Sequence, residues 1–171
     1  MLKRALTVFL DMDGTLCDFD KMLYDHFPEL RGVRIPDDQF WAKVCSIKGF
    51  WEDMEWTKNG KYLWLHLRYL RENVYPNSMD IQILSAPSRH DERSIPGKVR
   101  WLQRNLGSPL IRCNFVRAEY KQNFVKKGHF LIDDHPDNIE AWPPDQCFKW
   151  LTNTSTSYEA VSKLLSYRRN L

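Results

Sequence analysis

One stretch near the start of the chain constrains its fold more than any other: Thr7-Val-Phe-Leu-Asp-Met-Asp-Gly-Thr-Leu-Cys-Asp-Phe19. The apolar run Leu6–Leu10 reads as a strand buried on both faces, because such a strand shows continuous rather than alternating apolar residues. It stops at two carboxylates, Asp11 and Asp13, followed at once by Gly14 and Thr15. Along a strand, neighbouring side chains face opposite ways. Where the strand opens into a loop, two acids spaced by one residue can converge on one site. Their repulsion is relieved by a hard cation such as Mg²⁺, which takes carboxylate oxygens and keeps room for a substrate phosphate. Gly14 permits a sharp turn and close approach of backbone to ligand. The first acid is then placed as a nucleophile and the second as a proton donor. The plain alternative is a polar strand-to-loop turn. Asp-x-Asp-Gly also opens an EF-hand loop, but Phe19 and Lys21 stand where that loop needs a further Asp or Asn.

Beyond this strand the pattern is a helical insert followed by alternating strands and helices. Residues 16–75 show helical periodicity and no good strand. Leu63, Leu67 and Leu70 fall on one face of a helix expected from about Lys61 to Glu72, which Asn73–Ser78 breaks. Strands are expected at Met79–Leu84, Ile111–Val116, His129–Ile132 and Phe148–Leu151. A helix is expected over Asp91–Asn105, with Val99, Leu102 and Leu106 on one face and Gly107 at its end. Thr156-x-x-Glu159 is a capping box opening a last helix through Tyr167. Strands separated by helices imply an α/β fold with a parallel, doubly wound sheet, and ligands in such sheets bind beyond the carboxyl ends of the strands. Those ends carry Asp11/Asp13, Ser85 and Asp133/Asp134, a convergence of polar groups that a structural role alone does not predict.

At 171 residues the chain is sized for one domain with a small insert, and its 43% hydrophobic content is enough for a core. No apolar run reaches the length of a membrane span, so no membrane partner is expected. Met1-Leu2-Lys3-Arg4 runs straight into the expected first strand, so no signal peptide is expected. Cys17, Cys45, Cys113 and Cys147 are scattered without a Cys-x-x-Cys pair, which argues against zinc and for reduced thiols in a cytoplasmic protein. The net charge of +3 suits an anionic substrate without demanding a nucleic acid.

Each further candidate has a bland reading beside its functional one. Ser85, before Ala86-Pro87, can donate to a phosphate oxygen or simply cap its loop. Lys98 can bring a mobile point charge to a phosphate or be an ordinary solvated helix lysine. Asp133 and Asp134 are costly to hold together unless a cation or internal donor offsets them; one could bind metal and the other steer Lys98. Phe19, Phe50 and Trp51 lie in or beside the insert, where they could close over an apolar sugar or base or form the insert's own small core.

Taken in order, Asp11-Met-Asp-Gly-Thr15, Ser85, Lys98 and Asp133-Asp134 resemble the four motifs of the haloacid dehalogenase superfamily of phosphatases. Within it the chain is most similar to the 5'(3')-deoxyribonucleotidases, on Gly49-Phe-Trp51, Leu84-Ser-Ala-Pro87, Lys98 with Trp101-Leu102, Val116-Arg117 and Leu131-Ile-Asp-Asp-His-Pro-Asp137 as well. The resemblance implies a Rossmann-like three-layer core from residues 1–15 and 76–171, a small helical cap from 16–75, Mg²⁺ as cofactor, and hydrolysis of nucleoside monophosphates. It implies metal ligation by Asp11, the backbone carbonyl of Asp13, and Asp133. It puts Phe19, Phe50 and Trp51 on the nucleoside pocket, with Ala86 and Arg117 among the substrate contacts, Arg117 near the phosphate. Relatives are often dimeric, so a homodimer is a candidate assembly. Residues 52–78 depart from the family, and Ser85 stands where threonine is common.

The expected chemistry is phosphoryl transfer to Asp11, with Asp13 as acid then base, Ser85 and Lys98 stabilising the equatorial oxygens, and Asp134 orienting Lys98 or a metal-bound water. One rival is a phosphatase of the same superfamily for another small ester, such as a sugar phosphate. Another is a non-catalytic nucleic-acid module built on Lys61–Arg71 and the Tyr167-Arg-Arg169 tail, although that segment also reads as an amphipathic helix with a basic outer face. A bare metal-binding domain has no use for both Asp13 and Lys98.

Overall fold

The computed structural model describes residues 5–107 and 111–171. The N-terminal tetrapeptide behind the expectation of no leader lies outside the described residues. Five strands form one parallel sheet: β1 (Leu6–Leu10), β2 (Met79–Ser85), β3 (Arg112–Phe115), β4 (His129–Asp133) and β5 (Cys147–Lys149), in the order β3-β2-β1-β4-β5. The fold is α/β, a Rossmann-like three-layer arrangement, as the alternation predicts.

Register explains the layering. Val8 pairs with Ile81 and Phe130, and Leu10 with Ile83 and Ile132. These residues share one face and one buried cluster with α4 (Gly60–Tyr69), α5 (Ser94–Leu106) and α7 (Ser157–Arg169). Phe9, Leu84 and Leu131 face the other way and pack with Trp142, Cys147, Phe124 and Ile139. That second layer comprises the 3₁₀ segment Ala118–Phe124 and the short helix α6 (Pro136–Glu140). Burial on both faces makes the inner stretches Val8–Leu10 and Phe130–Ile132 read as unbroken apolar runs.

Between β1 and β2 lie α1 (Phe19–His26), α2 (Asp37–Ser46), α3 (Phe50–Asp53) and then α4. The expected insert, 16–75, takes in α4. The structure packs that helix against α7, with Leu63, Trp64 and Leu67 buried in the same cluster as the strand residues. The segments over the strand ends are α1 to α3. The helix also runs further than expected, ending in a π-helical turn at Leu70–Val74.

Other boundaries shift for local reasons. α5 opens at Ser94 rather than Asp91, because Asp91 accepts from the backbone N–H and guanidinium of Arg93 and so makes a turn. β3 is limited to Arg112–Phe115 at the half-exposed sheet edge, and the last strand to Cys147–Lys149. The capping box forms as written: Thr156 Oγ1 accepts from the Glu159 N–H, and the Glu159 carboxylate accepts from the Thr156 N–H. Among the described residues no helix is long and apolar enough to cross a membrane.

Candidate active site

Strand order reverses between β1 and β4, and such a switch point opens a crevice at the carboxyl ends of the strands. β1 delivers Asp11 there: its N–H still bonds to Ile132 O at 3.0 Å, so the carboxylate sits at the last rung of the ladder. β4 delivers Asp133 and Asp134 beside it. Ligand oxygens of Asp11, Asp133 and Asp134 lie within 4.8 Å of one another. A cavity of about 280 Å³ opens over Asp11 and Asp134, its walls including Asp13, Gly14, Phe19, Lys121 and Thr152.

The chain past β1 is folded into a tight turn. Gly14 has φ +74° and donates to Cys17 O, and a Cβ there would lie 2.2 Å from Asp134 Oδ2. Thr152 Oγ1 donates to Gly14 O at 2.7 Å, and Thr57 Oγ1 donates to Thr15 O at 2.7 Å. Two side chains distant in sequence therefore fix the turn that aims Asp13.

Two buried lysines divide the acids between them. Lys121 Nζ donates to Asp11 Oδ1 at 2.8 Å and to Asp133 Oδ2 at 2.7 Å. Lys98 Nζ donates to Asp13 Oδ2 at 2.7 Å, Ser85 Oγ at 3.0 Å and Ala86 O at 2.6 Å, and is fully buried. Asp133 also accepts from the His135 N–H and from Asn138 Nδ2. Asp13 Oδ1 is buried and has no hydrogen-bond partner among the described residues.

The electrostatics follow from burial and crowding. Asp134 is pushed up to about 8 by burial and by repulsion from Asp11 and Asp133. Burial, then the charge of Asp11, raises the Asp133 carboxyl. Asp13 is raised by burial, and Lys98 only partly offsets this. Burial works against the Lys121 ammonium, but Asp11 and Asp133 outweigh it and hold its pKa above the usual lysine range.

The structure brings together Asp11, Asp13, Asp133 and Asp134 and departs from the sequence reading in several roles. Lys98, expected on the phosphate, is spent on Asp13, Ser85 and Ala86 O; neither Lys98 nor Ser85 is on the cavity wall. Asp134, expected to orient Lys98 or a metal-bound water, lies against Gly14 within the three-carboxylate cluster, and the hydrogen bonds of Lys98 go to Asp13, Ser85 and Ala86 O instead. The side chain of Asp13, named among metal ligands through its carbonyl, turns to Lys98. Lys121 was missed: it lies in a 3₁₀ segment with no motif around it. The one sequence signal was charge balance, since four strand-end acids need more than one cation.

A second cavity of about 380 Å³ adjoins the first, sharing Asp13, Phe19, Ala86 and Ala118 and adding Trp41, Trp51 and Arg117. Phe19, Trp51, Ala86 and Arg117 thus line cavities next to the acids. Phe50 does not: it is buried behind Phe19, ring centroids 4.9 Å apart, because adjacent residues of α3 point to different sides.

An all-oxygen set of three converging carboxylates, two of them raised in pKa, fits a hard divalent cation such as Mg²⁺. No family model matches the chain. It is 26% identical over 143 residues to an Acanthamoeba polyphaga mimivirus protein carrying 5'(3')-deoxyribonucleotidase as a provisional name, covering 75% of this chain. It is 25% identical over 158 residues to the mitochondrial 5'(3')-deoxyribonucleotidase of Mus musculus, covering 82% of this chain. The matches span 62% of the viral protein, less than two thirds of its length, and 69% of the mouse protein.

Proposed function

We propose that the protein is a Mg²⁺-dependent phosphatase of the haloacid dehalogenase type that hydrolyses nucleoside monophosphates, deoxyribonucleotides foremost, through an aspartyl-phosphate on Asp11. The observation that carries this reading is the pair of acids at the end of β1, each with one carboxylate oxygen held by a different buried lysine: Asp11 by Lys121, which also holds Asp133, and Asp13 by Lys98. A merely structural turn has no need of two buried cations, each costly to desolvate. The names of the two relatives support the nucleotide class, and the aromatic second cavity suits a base.

Asp11, Asp133 and Asp134 are the residues that would hold Mg²⁺. When bound, the ion supplies charge that offsets the phosphoryl oxygens beside these carboxylates. Asp11 attacks phosphorus. The P–O ester bond breaks, and its electron pair leaves on the nucleoside oxygen, which takes a proton from Asp13. Burial, which favours the protonated form of Asp13, suits that donation. Asp13 then takes a proton from water, whose oxygen attacks the acyl phosphate. The bond from phosphorus to Asp11 breaks, releasing inorganic phosphate and restoring the carboxylate. Lys121, on the cavity wall, offsets charge on the transferring group, and Lys98 keeps Asp13 in place.

Phosphate release from 5'- and 3'-nucleoside monophosphates, a hexose phosphate and an aryl phosphate, with Mg²⁺ and with chelator, tests the reading. A preference for nucleotides that the chelator abolishes is expected. Equal rates with chelator, or a preference for the hexose ester, would overturn it.

A further inference from the structure

Asp91 is a buried acid that the chemistry above does not use; it is 5% exposed. Its Oδ2 accepts from the indole N–H of Trp51 at 2.9 Å, and both of its oxygens accept from the Arg93 guanidinium at 2.7 and 2.8 Å. Arg93 Nη2 also donates to Cys45 O at the end of α2. The loop after β2 is thereby tied to the segments over the strand ends. Arg93 holds the Asp91 carboxyl below the usual range, so it stays ionised as an acceptor.

Trp51 in turn reaches the acid machinery. Its ring lies 5.1 Å from Lys98 Nζ. The three N–H bonds of that ammonium go to Asp13, Ser85 and Ala86 O, and the indole covers a further side. The approach depends on Gly97: a Cβ there would stand 2.5 Å from Trp51 Cβ. One turn of α5 thus supplies both the gap that admits Trp51 and the lysine it covers, and Asp91 fixes the rotation of the indole.

We propose that Asp91 is a positioning residue: through its hydrogen bond to Trp51 it holds the indole against Lys98, and so keeps the Lys98–Asp13 pair aligned for protonating the leaving group. The proposal rests on the phosphatase reading. Its contacts run Asp91–Trp51–Lys98–Asp13.

The test is steady-state hydrolysis of a nucleoside monophosphate and of p-nitrophenyl phosphate by the whole protein and its Asp91→Leu, Asp91→Asn, Trp51→Phe and Asp91→Leu/Trp51→Phe forms. In Asp91→Leu, kcat for the nucleotide should fall about tenfold, the scale of one hydrogen bond to a charged group, while KM stays within about twofold. p-Nitrophenyl phosphate, whose leaving group needs less protonation, should lose less. Asp91→Asn keeps an acceptor for the indole and should recover most of the rate. The double variant should be no slower than the slower single variant, because both changes act through one contact. A change confined to KM, additive losses, or unaltered kcat would overturn the proposal. Should Asp91→Leu not fold, Trp51→Phe carries the same expectation for kcat. The two readings separate in the indole N–H resonance of Trp51, assigned by its absence from Trp51→Phe. Faster hydrogen exchange there in Asp91→Leu is expected, and unchanged exchange sinks the role of Asp91 alone. A wild-type protein inert to every ester sinks the phosphatase reading instead.

Discussion

Lys121 bridges Asp11 and Asp133, whereas Lys98 serves Asp13, so the two lysines should fail differently when replaced. Lys121→Met removes a donor that faces the cavity; turnover of every ester should fall by about a hundredfold or more, as for other preorganised charge stabilisers. Kinetics on nucleotide and aryl esters checks this, and near-normal turnover would remove Lys121 from the mechanism. The acids were legible in the sequence because a carboxylate just past an apolar strand has few structural uses. The partners of the acids were not legible. Lys98 and Lys121 differ in role through which strand end each side chain reaches, and that depends on the packing of α5 and the 3₁₀ segment rather than on local pattern. The resemblance implies Phe50 on the pocket beside Trp51, but a helix turns adjacent side chains about 100° apart.

At the level of elements, the turn after β1 is the part that tolerates least. Gly14 has a left-handed φ, and any Cβ would strike the Asp134 carboxylate. Gly14→Ala should destabilise the fold by about 1–3 kcal/mol, the cost of one residue in a sparsely populated backbone region, and should depress activity further by displacing Asp134. Chemical denaturation beside kinetics checks both, and a variant with normal stability and rate would show that the turn relaxes freely. Strands and their order of appearance were readable, because parallel strands buried on both faces write themselves as apolar runs. The partner of α4 was not: it packs against α7, far away in the chain, and local pattern does not show that pairing. The start of α5 was obscured because Asp91, a good helix-entry residue on paper, is drawn with Arg93 into contacts with α3 and α2.

For the whole molecule, the acid cluster should make stability depend on pH and, on the proposed Mg²⁺ site, on that ion. In the metal-free protein the folded state keeps a proton on Asp134 up to about pH 8, which an unfolded aspartate releases near pH 4. Asp13 and Asp133 shift in the same direction. The folded state therefore binds more protons across that window, and its stability should decline as pH rises through it. At the proposed Mg²⁺ site the ion would compete with those protons, so its stabilising effect should grow from pH 6 to pH 8. Thermal unfolding with and without Mg²⁺ at both pH values reads this directly, and an equal Mg²⁺ effect at each would contradict it.

The central claim is that Asp11 carries the phosphoryl group in transit. Acid-quenched turnover of a nucleoside monophosphate with Mg²⁺, followed by peptide mass mapping, tests it most directly. The account predicts a phosphoryl adduct on the peptide containing Asp11, no adduct in Asp11→Asn, and loss of phosphate release in that variant. An Asp11→Asn protein that still releases phosphate at a substantial rate, with no adduct on this peptide in the wild type, would contradict it.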